Sequence, residues 1–146
     1  MSRAFVKDDD GGPEPSISRP VSDSPNYVTP HGLRLLEKAL ARAEAEKNER
    51  DAKYFSERLA SAIVVERSAS VRGVVEFGAT VEAHDVRGKS LRVRIVGEDE
   101  ADPLNGSISW ESPIARAFTD HRPGDRVVVD RPAGRIEYII DRISYE

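Results

Sequence analysis

The chain is 146 residues long, with 38% hydrophobic and 33% charged residues, a mean hydropathy of -0.51 and a formal net charge of -4. That mixture suits a soluble domain with an appendage, and no stretch approaches the roughly 20 consecutive apolar residues of a membrane-spanning helix. The absence of cysteine excludes disulfides, thiolate metal sites and cysteine nucleophiles, and fits a reducing cytoplasm.

Residues 1–26 read as a disordered tail. Asp8, Asp9, Asp10, Gly11, Gly12 and Pro13 open a stretch of acids, Gly, Pro and Ser that buries too little apolar area to offset its ordering entropy. The start runs into those acids without the apolar segment of a secretory signal.

Residues 27–70 read as helical. Thr29-Pro30 is a helix start, a hydroxyl that caps free N–H groups followed by a residue preorganised for the first helical position. Leu33, Leu36, Leu40 and Ala43 then recur at steps of three and four, and Ala52, Phe55, Leu59 and Ala62 form a second stripe. Two architectures fit. One is a hairpin reversing near Lys47-Asn48-Glu49-Arg50-Asp51, with Asn48 in the left-handed conformation that often ends a helix. The other is a single long helix that dimerises.

In residues 71–146 the period becomes two. Val74 to Ala83 reads as a strand, Asp85-Val86-Arg87-Gly88 as a turn, and Leu91-Arg92-Val93-Arg94-Ile95-Val96 as a strand with one wet face. Gly78 and Gly97 suggest bulges or close backbone approaches. A short strand at Gly106-Ser107-Ile108-Ser109-Trp110, a short helix after Ser112-Pro113 and a final hairpin around Pro132-Ala133-Gly134 complete an α+β pattern with a mostly antiparallel sheet. Ile95, Ile108, Ile114, Val128, Ile139 and Phe77 are the expected core, while Trp110 fits either core or a partner-facing loop.

Chemistry is sparse. His31, His84 and His121 have no metal-site spacing, and no G-x-S-x-G elbow, Walker loop or G-x-G-x-x-G occurs. The acidic run Glu98-Asp99-Glu100-Ala101-Asp102 lacks the calcium-loop pattern and reads as a solvated turn or a docking surface for a basic partner. Glu46, Glu49 and Asp51 form a second acidic group at the expected hairpin tip. The acid excess argues against direct binding of nucleic-acid phosphates, so nucleic acid is expected to enter only indirectly.

Several motifs in register carry a resemblance. Val75-Glu76-Phe77-Gly78-Ala79-Thr80-Val81, Arg94-Ile95-Val96-Gly97-Glu98-Asp99-Glu100-Ala101-Asp102 and Ile108-Ser109-Trp110-Glu111-Ser112-Pro113-Ile114-Ala115-Arg116-Ala117 resemble consecutive motifs of the bacterial Gre transcript-cleavage factors. Pro123-Gly124-Asp125 and Pro132-Ala133-Gly134 follow in order, and residues 26–33 resemble that family's lead into its first helix. The resemblance implies an FKBP-like C-terminal domain behind an N-terminal antiparallel coiled coil. In that family the C-terminal domain docks beside the secondary channel of RNA polymerase, and acids at the coiled-coil tip complete a magnesium site that hydrolyses backtracked RNA.

The chain departs from the family at the tip, where the segment resembling "GDLKENAEY" is missing and the helices are shorter. An arm of about 16 residues spans about 24 Å. This resembles the stubby coiled coils of the Gre-like regulators of nucleoside diphosphate kinase. The expectation is therefore a regulator that binds RNA polymerase through Glu111, Ser112 and Pro113, with Glu98 and Asp99 alongside. It needs no cofactor, metal site or catalytic residue of its own. The alternative is a shortened cleavage factor in which Glu46, Glu49 or Asp51 assists the polymerase's metal. A prolyl isomerase ranks third, since fold does not fix function.

Overall fold

The computed structural model describes residues 22–66 and 72–145; most of the expected tail, residues 1–21, lies outside the described residues. The first unit is a helical hairpin. β1 (Tyr27–Val28) leads into α1 (Pro30–Ala45), and α2 (Glu49–Ser61) returns beside it. The Thr29 hydroxyl caps α1 by accepting from the Gly32 N–H at 2.9 Å, with Pro30 next in the chain. Leu36 and Ala43 are buried along α1, as the three-and-four stripe requires.

The reversal differs from expectation in one residue. Lys47, at φ 57, takes the left-handed conformation instead of Asn48. Asn48 is used otherwise, since its side chain accepts from the Asp51 N–H at 3.1 Å and caps α2. With the Asn48 side chain engaged as this cap, the left-handed position falls to Lys47. Both ends of the hairpin are tied together. β2 (Ile63–Val64) pairs with β1 in parallel, with Ile63 N–H donating to Asn26 O at 2.8 Å and Val65 N–H to Val28 O at 2.9 Å.

The second unit is a five-stranded sheet in the order β5-β4-β3-β7-β6, built from β3 (Thr80–Asp85), β4 (Ser90–Val96), β5 (Ser107–Ser109), β6 (Arg126–Arg131) and β7 (Gly134–Ser144). One short helix, α3 (Pro113–Phe118), packs against β6. The α+β class stands, but the sheet is mixed. β5 lies parallel to β4, because residues 97–106 loop back through a tight turn at Pro103–Asn105 before β5 starts. The β3–β4 turn is fastened by Asp85, whose carboxylate accepts from the Lys89 and Arg87 N–H groups, both at 2.9 Å. Those bonds hold its carboxyl below the usual carboxylate range.

Residues 74–79 are not a strand. Gly78, at φ 91, sits in a turn closed by Ala79 N–H to Glu76 O at 3.0 Å, and ladder pairing begins only at Thr80. Val74 and Val75 are apolar because they are buried, fastened by backbone bonds of 2.9 Å between Val75 and the 120–121 turn.

The core joins the inner faces of the strands to α3: Val81, Ala83, Val93, Ile95, Phe118, Val127, Val129, Tyr138 and Ile140. Phe118 meets Tyr138 edge-on at 5.9 Å. Ile95 is central, and Phe77, Ile108, Trp110 and Ile114 pack at the margin. Val128 and Ile139 correct the expectation. Val128 is 48% exposed, between the buried Val127 and Val129, and Ile139 is half-buried between the buried Tyr138 and Ile140. Strand faces alternate strictly, so an error of one residue inverts a strand, and the runs Val127-Val128-Val129 and Ile139-Ile140 show no alternation to read.

Ile140→Ala removes a fully buried side chain and is expected to cost about 2–5 kcal/mol. Ile139→Ala should cost well under half of that. Urea unfolding of both variants checks the assignment, and equal losses would refute this register.

Candidate docking face at the base of the hairpin

The acidic run that begins at Glu98 and the Glu111-Ser112-Pro113 segment are separated along the chain by β5 but adjacent in space. β4 and β5 run parallel with Val96 opposite Ser109, so the chain leaves both strands at the same edge. Gly97-Glu98-Asp99-Glu100 and Trp110-Glu111-Ser112-Pro113 therefore emerge side by side, joined by Trp110 N–H to Val96 O at 2.9 Å. β1 is pressed onto this edge. A Cβ on Gly97 would lie 2.3 Å from Tyr27 O, so the loop backbone approaches too closely for any side chain. The Tyr27 ring fills the other side, 5.1 Å from Trp110 and 5.9 Å from Phe77 between centroids.

The hairpin meets the acids through one buried cation. Arg58 of α2 is 2% exposed. Its Nε donates to Asp99 Oδ2 at 2.6 Å, and its Nη2 reaches Asn26 Oδ1 at 2.7 Å and Glu98 Oε1 at 3.2 Å. Asn26 closes the loop by donating to the Arg58 carbonyl at 2.7 Å. The Tyr54 hydroxyl donates to the second oxygen of Asp99. Tyr54 and Arg58 share a helix face because they are four residues apart. A buried guanidinium is tolerable only when fully paired, and here an aspartate, a glutamate and an amide supply that pairing. A second tie runs beside it, with the Thr29 hydroxyl donating to Glu100 Oε1 at 2.6 Å.

The sequence-predicted residues thus divide. Asp99 is 13% exposed and held by Arg58 and Tyr54, whereas Glu98 remains 44% exposed at the rim. Glu111 accepts from the Ser24 hydroxyl and lies 3.9 Å from Arg116. The Ser112 hydroxyl caps α3 by accepting from the Ala115 N–H at 3.3 Å, and Pro113 is exposed beside it. Glu46, Glu49 and Asp51 sit at the other end of the hairpin, about 24 Å away for α1's 16 residues. Glu46 pairs with Arg42 at 3.3 Å, and Asp51 is tied to Asn48 at 2.9 Å. Among the described residues no group of three or more His, Asp or Glu side chains is placed to hold a metal ion, and no helix is long and apolar enough to cross a membrane.

Reading by apolar stripes missed Asn26, Tyr54 and Arg58, the residues that hold the face together. Their only signal was the i, i+4 spacing of Tyr54 and Arg58 beside the Phe55-Leu59 stripe.

An α+β domain bearing this edge, with a hairpin locked onto it, defines a class that comparison with known proteins identifies. Residues 69–145 match the family model "Transcription elongation factor, GreA/GreB, C-term". The chain belongs to the GreA/GreB transcription elongation factor family. It is 42% identical over 94 residues to the transcription elongation factor GreA of Nitratidesulfovibrio vulgaris (strain DSM 19637 / Miyazaki F), a match covering 64% of this chain and 59% of that protein. It is 39% identical over 97 residues to the transcription elongation factor GreB of Pseudomonas putida, covering 66% of this chain and 60% of that protein. The chain thus spans about three fifths of these curated relatives. Among solved structures it is similar to the GreA factor homolog 1 protein of Thermus thermophilus, at 25% identity and a TM-score of 0.43 over 82% of this chain and 99% of that one.

Arg58→Met leaves Asp99 without its cation and is expected to destabilise the protein by about 3–5 kcal/mol. Arg42→Ala, which breaks an exposed pair, should cost under about 1 kcal/mol. Thermal unfolding of the two variants distinguishes the roles, and a silent Arg58→Met would remove the lock from this account.

Proposed function

We propose that this chain is a cytoplasmic regulator that binds RNA polymerase at the secondary-channel entrance and does not itself promote transcript cleavage. Membership of the elongation factor family supports a polymerase partner. The docking contact is assigned to the Glu111-Ser112-Pro113 loop, with Glu98 at its rim. Ser24 and Arg116 hold the Glu111 carboxylate in place, so the loop presents it preoriented, which lowers the ordering cost of binding.

The observation that carries the non-cleaving reading is the length of the hairpin. With 16 residues in α1 and 13 in α2, the arms reach about 24 Å and about 20 Å. A metal-assisting acid must be placed within roughly 1 Å of its productive position. Two of the three tip acids are also engaged locally, Glu46 by Arg42 and Asp51 by Asn48. Binding without reach would make the protein a competitor of longer channel factors.

The test is single-turnover cleavage of backtracked RNA by polymerase with saturating protein, beside a competition assay against a full-length Gre factor. The expected result is competition without faster cleavage, with Glu111→Lys weakening the competition while the protein stays folded. Stimulated cleavage that disappears in Glu49→Ala or Asp51→Ala would establish the alternative, a shortened cleavage factor. Unchanged competition by Glu111→Lys would remove the loop assignment.

A further inference from the structure

The outer face of the five-stranded sheet carries a cationic cluster that the docking face does not use. Val93 and Ile95 point into the core, so Arg92 and Arg94 of β4 stand on the opposite face. The register completes two rows there. Glu82 lies opposite both Arg92 and Arg142. Thr80 lies opposite both Arg94 and Ser144, and Ser107 lies beyond Arg94. Three guanidinium groups thus stand around Glu82, with a second carboxylate, Asp141, held 2.8 Å from His84 at the next position of the same face, in a chain whose net charge is -4. The acid excess lies elsewhere, with Glu98, Asp99, Glu100 and Glu111 at the docking edge.

The arginines keep donors to spare. Arg92 Nε is 3.7 Å from Glu82 Oε2, beyond hydrogen-bond reach. Arg142 is exposed. Arg94 Nε is buried and has no hydrogen-bond partner among the described residues. A buried donor without an acceptor is unfavourable, and an orphan of this kind is a common mark of a missing anion or water.

Strand spacing selects the anion. Neighbouring strands lie about 4.8 Å apart, which puts Arg92 and Arg142, on either side of β3, roughly 10 Å apart at the backbone. That is wider than one phosphate group spans, so the face suits phosphates in series. Thr80 is 4% exposed, so the hydroxyls within reach of a ligand are those of the half-exposed Ser107 and Ser144, a group that commonly contacts phosphate oxygens. The rows hold no aromatic ring on which a base could stack.

We propose that this face binds the phosphate backbone of single-stranded RNA through Arg92, Arg94 and Arg142, without sequence preference. The contact is electrostatic and therefore weak and salt-sensitive. It departs from the expectation drawn from net charge, because the charge is segregated between two faces. It does not depend on polymerase binding.

The test is fluorescence anisotropy of the full chain with a labelled single-stranded RNA of mixed sequence, with inorganic polyphosphate and polyglutamate as competitors. Three phosphate contacts predict a log–log salt slope of about -2, a loss of roughly 20-fold between 50 and 200 mM salt. The double variant Arg92→Gln/Arg142→Gln should bring the slope to about -0.7, the value for one contact. Glu82→Gln should tighten binding. The exposure of Arg92 and Arg142 keeps that variant folded, which circular dichroism confirms. The proposal is overturned by absent RNA binding at 50 mM salt, by an unchanged double variant, or by polyglutamate competing as well as polyphosphate. Polyphosphate binding without RNA binding would overturn the assignment to nucleic acid.

Discussion

A single buried cation organises this protein. Arg58 sits on a short helix at 2% exposure, where an unpaired charge is strongly disfavoured. The chain meets that constraint with groups from two places, Asn26 before the hairpin and the 98–99 loop after β4, while Tyr54, one turn earlier on the same helix, holds Asp99 in position. Each of these must be in position for the charge to be paired. The hairpin, the approach strand β1 and the acidic loop are therefore interdependent, and the Thr29–Glu100 bond adds a second tie at the same junction.

This constraint has a functional consequence. Acids that a solvent-exposed run would offer to a basic partner are turned inward, so the 98–100 loop acts first as mortar between hairpin and sheet. What remains for a partner is the rim, Glu98 and the Glu111-Ser112-Pro113 loop, brought alongside by the parallel pairing of β4 and β5. Under the proposed function, the short arm and the rigid base together favour occupation of a site over delivery of a group deep within one.

Periodicity made most of the fold legible. The caps at Thr29 and Ser112, both helical arms, and the turns at 85–88 and 132–134 follow from local chemistry that the structure leaves intact. The motifs around Glu98 and Glu111 were equally visible. What stayed hidden depended on tertiary context. A stretch such as Val74-Val75 is apolar whether it is a strand or a buried turn. Val127-Val128-Val129 offers no alternation from which to choose a face. Parallel addition of β5 depends on how the 97–106 loop folds back. Arg58 was invisible because a single arginine among helix-surface charges looks solvated, and only its partners, distant in sequence, show otherwise.

The chain lacks cysteine, which allows the interlock to be measured directly. Spin labels at Glu49→Cys on the hairpin tip and Val86→Cys in the β3–β4 turn report the distance between the two units by pulsed electron resonance. One narrow distance distribution is predicted for the parent chain, broadening when Arg58→Met is added. A broad distribution in the parent, or a narrow one unaffected by Arg58→Met, would contradict the account.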